Sequence, residues 1–456
     1  MKKVAMLVVL AGLCAVAEAK PPLFVERPGA LEFSGQLIVR PRQDLNTEGA
    51  ARARERLTGM VKNYYPEVDE YTIFVPNADR RARGTGENDL AAELMATGDY
   101  QYVHPNWICY PLNTPNDPYF PSMWHHANMQ SELAWNVTTG SSSILVAMTD
   151  TGVDYNHVEL QNRVPGYNSA SNMAETDGGQ IYDIHGHGTH VAGCAAATGN
   201  NNTGVAGVGW NLKFMMCRVT DSSGGGAYFE DLTEAARWAV EHGSRTASTS
   251  YTGVEYETIS TTGDYIDSIG GGYLYAADNS SRDHYYFDWP NVIVVGATDW
   301  TDNRAWFSSY GLACDVFAPG DGIWSSTVGN TYAAWSGTSM ATPVANGVLG
   351  IIWSVNPALT HHEARDIMFN SCDDIGAPGE DNVYGHGRVN LYKAVQAALA
   401  TLCPADFNGD GFVNGDDYDA FAEVFDVANP AADFNNDGFV NGDDYDLFAE
   451  HFDVGC

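Results

Sequence analysis

The run Ser143–Asp150, "SILVAMTD", sets five apolar residues in a row, Ile144 to Met148, before it ends on Thr149 and Asp150. A strand with one wet face alternates apolar and polar residues, whereas an unbroken apolar run fits a strand covered on both faces. Three more such runs follow: "LKFMMCRV" (212–219), "GYLYAADN" (272–279) and "NVIVVGATD" (291–299). Segments with helical spacing lie between or after them, among them "EDLTEAARWAVEHG" (230–243) and "SMATPVANGVLGIIW" (339–353). This alternation predicts an α/β domain, a parallel sheet covered by helices on both faces, with its active site at the carboxyl ends of the strands.

The flanks of this domain read differently. Residues 1–19 start with Lys2–Lys3, continue through "VAMLVVLAGLCAVA" and end in "AEA", the pattern of a secretory signal peptide. Residues 20–113 alternate strand-like and helix-like segments, as expected of a small α+β unit. The Pro- and Asn-rich "PLNTPNDPYFP" marks a linker, the α/β domain spans 114–402, and 403–456 form a tail. Residues 20–113 carry 11 Lys/Arg against 13 Asp/Glu, 114–403 carry 10 against 30, and 404–456 carry none against 14. So acidic an exported portion excludes nucleic acid and anionic membrane as partners. Cys194, Cys217, Cys314 and Cys372 sit among apolar or small residues and read as buried thiols, while Cys403 and Cys456 bracket the tail and would staple it in an oxidising compartment.

"DIHGHGTHVAG" (183–193) places His185, His187 and His190 within six positions. Histidines so close could share a zinc or iron ion, or one of them could be a general base at the mouth of a helix. The base needs partners, and the chain has them. Asp150 ends a buried strand, and "WSGTSMATPVANGV" puts Ser339 at a helix start, with Pro343 expected in the first turn. Asp, His and Ser in this chain order are one of the known arrangements of a serine triad.

Together "DTGVD", "HGHGTHVAG" and "GTSMATP" resemble the subtilisin-like serine proteases, the family whose triad is itself a standard worked example of this chemistry. The resemblance implies His187 as general base, Asp150 as the group holding its Nδ1–H, and Ser339 as nucleophile. His190 matches a structural histidine and His185 matches no catalytic position. "GYLYAADN" implies Asn279 as the oxyanion-hole donor. Asp278 stands where the family has Gly; a carboxylate beside a developing oxyanion opposes it, so either it points away or its removal is expected to raise turnover. "SSGGG" (Gly224, Gly225, Gly226) and "TSYTG" (Ser250, Tyr251, Thr252, Gly253) match the two segments that pair with substrate backbone.

Calcium is expected in two places. "TPNDPYF" and "ATGNNNTGVAG" resemble the calcium site of the thermitase-like branch, which implies the side chains of Asp117, Glu159 and Asn201 and the carbonyls of Thr198, Thr203 and Val205 as ligands. In the tail, "DFNGDGFVNGDDYDAFAEVFD" recurs 27 residues later as "DFNNDGFVNGDDYDLFAEHFD". Asp406, Asn408, Asp410, Phe412, Asn414 and Asp417, and then Asp433, Asn435, Asp437, Phe439, Asn441 and Asp444, fall at positions 1, 3, 5, 7, 9 and 12 of EF-hand loops. Position 7 gives a backbone carbonyl. Aspartate at position 12, the pairing and one short helix per loop resemble a dockerin module. The partner implied is cohesin-like, met through Gly415–Asp416 and Gly442–Asp443, which depart from the usual small hydroxyl pair.

The expected molecule is thus a secreted, monomeric, calcium-binding serine endopeptidase acting on proteins or peptides, free of the membrane once its signal is cleaved. Its inhibitory α+β propeptide (20–113) is removed by a self-cut within 108–116, and its tail (403–456) is a paired EF-hand-like dockerin module. The rival is a non-catalytic, calcium-dependent adaptor built on a protease fold, which Asp278 alone favours.

Overall fold

The computed structural model describes residues 24, 31–76, 85–109, 112–402, 404–408, 413, 415–434 and 439–454. The signal segment 1–19, Cys403, Cys456, Asp410, Phe412, Asn414, Asn435 and Asp437 lie outside the described residues. The chain divides into two compact units, Met1–Cys109 and Tyr110–Cys456.

In the first unit β1 (Leu31–Glu32) pairs antiparallel with β6 (Ile108–Cys109). A four-stranded antiparallel sheet holds β2 (Gln36–Pro41), β3 (Val61–Tyr65), β4 (Glu70–Phe74) and β5 (Tyr100–Pro105) in the order β3-β4-β2-β5. Strand β2 alternates, burying Leu37 and Val39. Those side chains meet Ala53 and Leu57 from α1 (Thr47–Arg56) and its end, and Leu94 from α2 (Thr85–Ala96), so both helices pack on the sheet. Asn46 caps α1 by accepting the Gly49 N–H at 2.8 Å. The unit is α+β.

The second unit is built on an eight-stranded sheet. Its strands are β7 (Leu145–Asp150), β8 (Arg163–Asn168), β9 (Met173–Ala174), β10 (Lys213–Arg218), β11 (Thr246–Thr249), β12 (Gly272–Ala276), β13 (Ile293–Thr298) and β14 (Val316–Pro319), in the order β14-β13-β12-β11-β7-β10-β8-β9. Seven of them run parallel, and edge strand β9 turns back antiparallel to β8. The sheet is therefore mixed rather than purely parallel, because "YNSASNMA" reverses through a tight turn with Asn172 at φ 51°.

After α3 (Trp124–Asn128) and α4 (Ser131–Val137), helices α5 (His187–Ala196) and α8 (Thr338–Val355) pack together against one face of the sheet. Helices α6 (Phe229–Glu241) and α7 (Glu257–Ser268) pack together against the other. Strand β13 is buried along all its length, and β7 along all but its first residue, as unbroken apolar runs require. A hairpin of β15 (Ile323–Thr327) and β16 (Thr331–Trp335) precedes α8, and α9 (His361–Asn370) and α10 (Leu391–Ala400) complete the domain. Buried Asn346 fastens α8 to the sheet through Thr246 (2.6 Å), Ala147 (3.2 Å) and Ser248 (3.2 Å).

Pro343 does not sit in the first turn of α8. The helix starts at Thr338, so Pro343 falls in the second turn, and its missing N–H leaves the carbonyl of Ser339 without its helical donor. The next step of the site depends on that.

In the tail, α11 (Gly415–Phe425) and α12 (Gly442–Val454) meet through Phe421 and Phe448, both fully buried, with rings stacked at 4.1 Å. The residues that pack on this pair, such as Phe407, Tyr418 and Phe434, all come from the tail, which has a core of its own.

Candidate active site

Strand β7 ends on Asp150, whose carboxylate is fully buried. Helix α5 begins at His187, and Gly188 lets it start hard against the end of β7: a Cβ there would lie 2.2 Å from the carbonyl oxygen of Gly152. This closeness sets His187 Nδ1 2.8 Å from Asp150 Oδ1, while 22% of the His187 side chain stays exposed. Burial disfavours the imidazolium, but the Asp150 charge and hydrogen bond, with the charge of Asp183, outweigh it and raise the His187 pKa above 6.5.

Buried Asp183 organises the approach. Its Oδ1 accepts from Thr151 Oγ1 (2.9 Å) and from the N–H groups of His185 (3.0 Å) and Gly186 (2.7 Å), and its Oδ2 accepts from Thr189. Sequence reasoning passed over it, because one carboxylate in so acidic a chain carries no signal of its own. Its place four residues before His187, ahead of a glycine turn, was the available clue.

Ser339 is the second residue of α8. Its carbonyl, released by Pro343, accepts from Ser250 Oγ at 3.0 Å, and its own Oγ donates to the Ser250 carbonyl at 3.3 Å. Among the described residues no hydrogen bond joins Ser339 to His187, but both line one open cleft of ≈ 220 Å³ at the carboxyl ends of β7, β11 and β12. A long 3.3 Å bond is weak, so little holds the hydroxyl away from the imidazole. Asn279 lines the same cleft, and its Oδ1 accepts from both the N–H (2.8 Å) and the hydroxyl (3.0 Å) of Thr338. That fixes which edge of the amide is left over, the Nδ2 donor.

Asp278 is turned into its own loop. Its backbone is left-handed, φ 86°, in keeping with a position where Gly is usual. Its Oδ1 accepts from Asn279 N–H (2.6 Å) and Ser280 Oγ (3.2 Å), and its Oδ2 pairs with Arg282 at 3.0 Å. The carboxylate closes its own loop and is paired there with Arg282, which matches the alternative that it supports the loop.

Of the two backbone segments, Gly224, Gly225, Ser250, Tyr251 and Thr252 line the cleft, and Gly226 and Gly253 do not. Gly226 instead has its carbonyl tied by Thr220 Oγ1 at 2.5 Å, and Gly253 stands against Phe229. Tyr251 Oη donates to the Gly225 carbonyl at 2.8 Å and so links the two segments. His190 is buried, bonded to the Ala333 carbonyl at 3.1 Å and stacked on Trp335, and burial drives its pKa down to about 3. His185 is exposed but lies over Gly225 and forms part of the cleft wall. The three histidines thus point to different partners and gather around no common point.

The first expected calcium site is a cluster. Buried Asp117 accepts from the N–H groups of Asn200 (2.6 Å) and Asn201 (3.2 Å). Asn201 Nδ2 donates to Glu159 (2.8 Å) and to the Thr198 carbonyl (3.2 Å), and Tyr332 Oη donates to Glu159 at 3.0 Å. Burial, with the Asp117 charge adding to it, pushes the Glu159 pKa up to about 7. Two buried carboxylates and a carbonyl are a donor set of hard oxygens, which fits calcium once the Asn201 amide turns its oxygen inward. Thr203 and Val205 face the cluster with N–H groups.

In the tail, buried Asp417 accepts the Asn408 N–H at 3.0 Å. Buried Asp444 accepts the N–H groups of Phe434 and Asn441, both at 2.8 Å. Asp417 therefore reaches back to the third position of its loop, and Asp444 to the second and ninth positions of its own. Phe439 is exposed.

Among the described residues, Cys109, Cys194, Cys217, Cys314 and Cys372 are free thiols, and all but Cys109 are buried. Burial pushes Cys194 and Cys372 up to about 12, so neither is a ready nucleophile.

Comparison with known proteins bears on the same region. The family model described as the subtilase family matches residues 141–387. The chain is 33% identical over 368 residues to the thermophilic serine proteinase of Bacillus sp. (strain AK1), covering 79% of this chain and 87% of that one. It is 37% identical over 292 residues to thermitase of Thermoactinomyces vulgaris, covering 62% and 99%. A solved protease structure from Pseudoalteromonas arctica aligns with TM-score 0.54 and 29% identity, over 63% of this chain and 100% of that one.

Proposed function

The chain belongs to the subtilase family, and on that premise we propose that it is a secreted serine endopeptidase working through Asp150, His187 and Ser339. The observation that carries this reading is the 2.8 Å bond from His187 to a fully buried Asp150, in the cleft that Ser339 also lines. Asp150 accepts the Nδ1–H and so leaves Nε2 unprotonated, the nitrogen that takes the Ser339 proton. Ser339 Oγ attacks the substrate carbonyl, and the oxygen that becomes anionic is met by Asn279 Nδ2 and the Ser339 N–H. Such a donor contributes roughly two to three orders of magnitude in turnover. The imidazolium then gives its proton to the leaving amine, and water repeats the sequence on the acyl-enzyme. The edges at Gly224–Gly225 and Ser250–Thr252 lend main-chain groups to the substrate.

The wider reading follows the same lines. The α+β unit before residue 110 serves as the inhibitory propeptide, and the leader at 1–19 directs export. Asp117, Glu159, Asn201 and Thr198 would hold calcium, which supplies the positive charge their buried carboxylates lack. The tail serves as a calcium-dependent docking module for a cohesin-like partner. The adaptor reading loses its support, since Asp278 is taken up by Arg282.

Replacing Ser339 tests the proposal. Ser339→Ala should accumulate uncleaved precursor in a protease-free host, and a fluorophosphonate should label the wild type at Ser339 alone. Normal maturation of the variant, or labelling elsewhere, would refute it.

A further inference from the structure

At the opposite end of the sheet, two neighbouring histidines converge on one carboxylate oxygen. His361 Nε2 lies 2.7 Å and His362 Nε2 3.1 Å from Asp267 Oδ1. Consecutive residues of a helix project about 100° apart and do not ordinarily face one partner. Here both rings turn to the same atom, 4.0 Å apart between centroids. Their position is fixed from behind by a complete capping box, in which Thr360 accepts the Glu363 N–H and Glu363 accepts the Thr360 N–H. Asp267 comes from the last turn of α7. The hollow is also lined by Gly272 and Ile293, which begin β12 and β13, so it is remote from the cleft at the carboxyl ends of the strands.

We propose that Asp267, His361 and His362 form a binding site for a divalent transition-metal ion of the zinc class, which ties α7 to α9. One donor atom from each residue lies within 4.8 Å of the others. Ligand atoms about 2.0 Å from a tetrahedral ion stand about 3.3 Å apart, so the ion would take the point on which both ring nitrogens converge and the Asp267 carboxylate would draw back on its side chain to bind it. Two imidazoles and one carboxylate select zinc-class ions over calcium, which takes oxygen only. The fourth position falls to water, because His362 is 47% exposed while His361 is 14% exposed. Arg365 lines the same hollow, but its guanidinium is held by Asp366 at 3.0 Å, which offsets its charge.

The test uses the full chain in a Ser339→Ala background, with calcium in excess to fill the oxygen sites. Cobalt(II) is titrated in as a probe and zinc is then used to displace it. One ion per chain with the strong visible absorption of four-coordinate cobalt is expected. His361→Ala and Asp267→Asn should each weaken binding by about tenfold or more. His362→Ala, at the most exposed ligand, should do the same with an unchanged circular dichroism spectrum, which separates ligand loss from misfolding. His185→Ala, in the other cleft, should leave binding intact. No bound cobalt, or binding unchanged by His362→Ala and Asp267→Asn, would overturn the site.

Discussion

Arg282 Nη2 lies 3.0 Å from Asp278 Oδ2, so the carboxylate next to Asn279 is committed to its own loop. Asp278→Gly keeps the φ of 86° without strain but releases Arg282 and the Asn279 N–H. Turnover is therefore expected to fall about two- to fivefold with KM little changed, a loss confined to the transition state. Asp278→Ala adds the strain of a positive φ, on the order of 1 kcal/mol, and should fall further. Separate kcat and KM values for both variants check this, and a rise in kcat in either would mean the carboxylate opposes the oxyanion after all.

The pH profile follows from His187. On the proposed mechanism His187 must be neutral to accept the Ser339 proton, and its pKa is raised above 6.5, burial being outweighed by the charge and hydrogen bond of Asp150. Protonation as pH falls removes the base, so kcat/KM should climb with pH through a midpoint above 6.5. Asp150→Asn takes away two of the raising effects, so the midpoint should move down while turnover drops by about 10⁴-fold. An acid limb that does not move between the two proteins would separate it from His187.

Ser250 and Pro343 are coupled through one carbonyl. Because Pro343 has no N–H to offer, Ser250 Oγ is the donor to the Ser339 carbonyl. Ser250→Ala should destabilise the protein by about 0.5 to 1.5 kcal/mol, the usual net worth of one hydrogen bond, since Ser339 is only partly buried. In a Pro343→Ala background the restored helical N–H should meet that carbonyl, and the cost of Ser250→Ala should shrink. Denaturant melts of the four proteins, all carrying Ser339→Ala to prevent self-digestion, measure the difference. Equal costs in both backgrounds would show that the two residues act independently.

Much of this was legible because the physical signal is local. An unbroken apolar run such as Ile144–Met148 can hardly be exposed, and the structure buries all but Leu145 of it. What escaped depends on geometry across the chain. Strand β9 is only two residues long and leaves no periodicity to read. The turn in which Pro343 falls depends on where α8 begins, and that is set by Gly337 and the Asn279–Thr338 bonds. Asp278 was visible as an odd residue, yet its meaning lay in Arg282, four positions on, whose side chain returns to it. Histidines close in sequence, His185, His187 and His190, diverge in space. By contrast, His361 and its neighbour His362 meet an aspartate that lies 94 residues before His361, which spacing alone could not pair.

The tail gives the last prediction. Its helices share a small aromatic core around Phe421 and Phe448, and a module of this size stands close to the limit of independent stability. Against that core stands a charge problem: residues 404–456 hold 14 acids and no Lys or Arg. Asp417 and Asp444, both fully buried, reach back to backbone N–H groups at the start of their loops. These N–H bonds tie the loops but do not cancel the negative charge of the repeats, whereas a calcium ion in each loop would. Folding of the 402–456 segment should therefore require calcium, and its midpoint should shift with calcium concentration by mass action. Asp417→Ala and Asp444→Ala each remove both a ligand and a loop closure, so either should weaken the response to the ion. Deleting the tail should leave peptidase activity unchanged, because Asp150, His187, Asn279 and Ser339 all precede it. Circular dichroism of the segment with and without calcium decides the matter: the same helical spectrum in both would show that the aromatic core suffices and that the ion does not build the module.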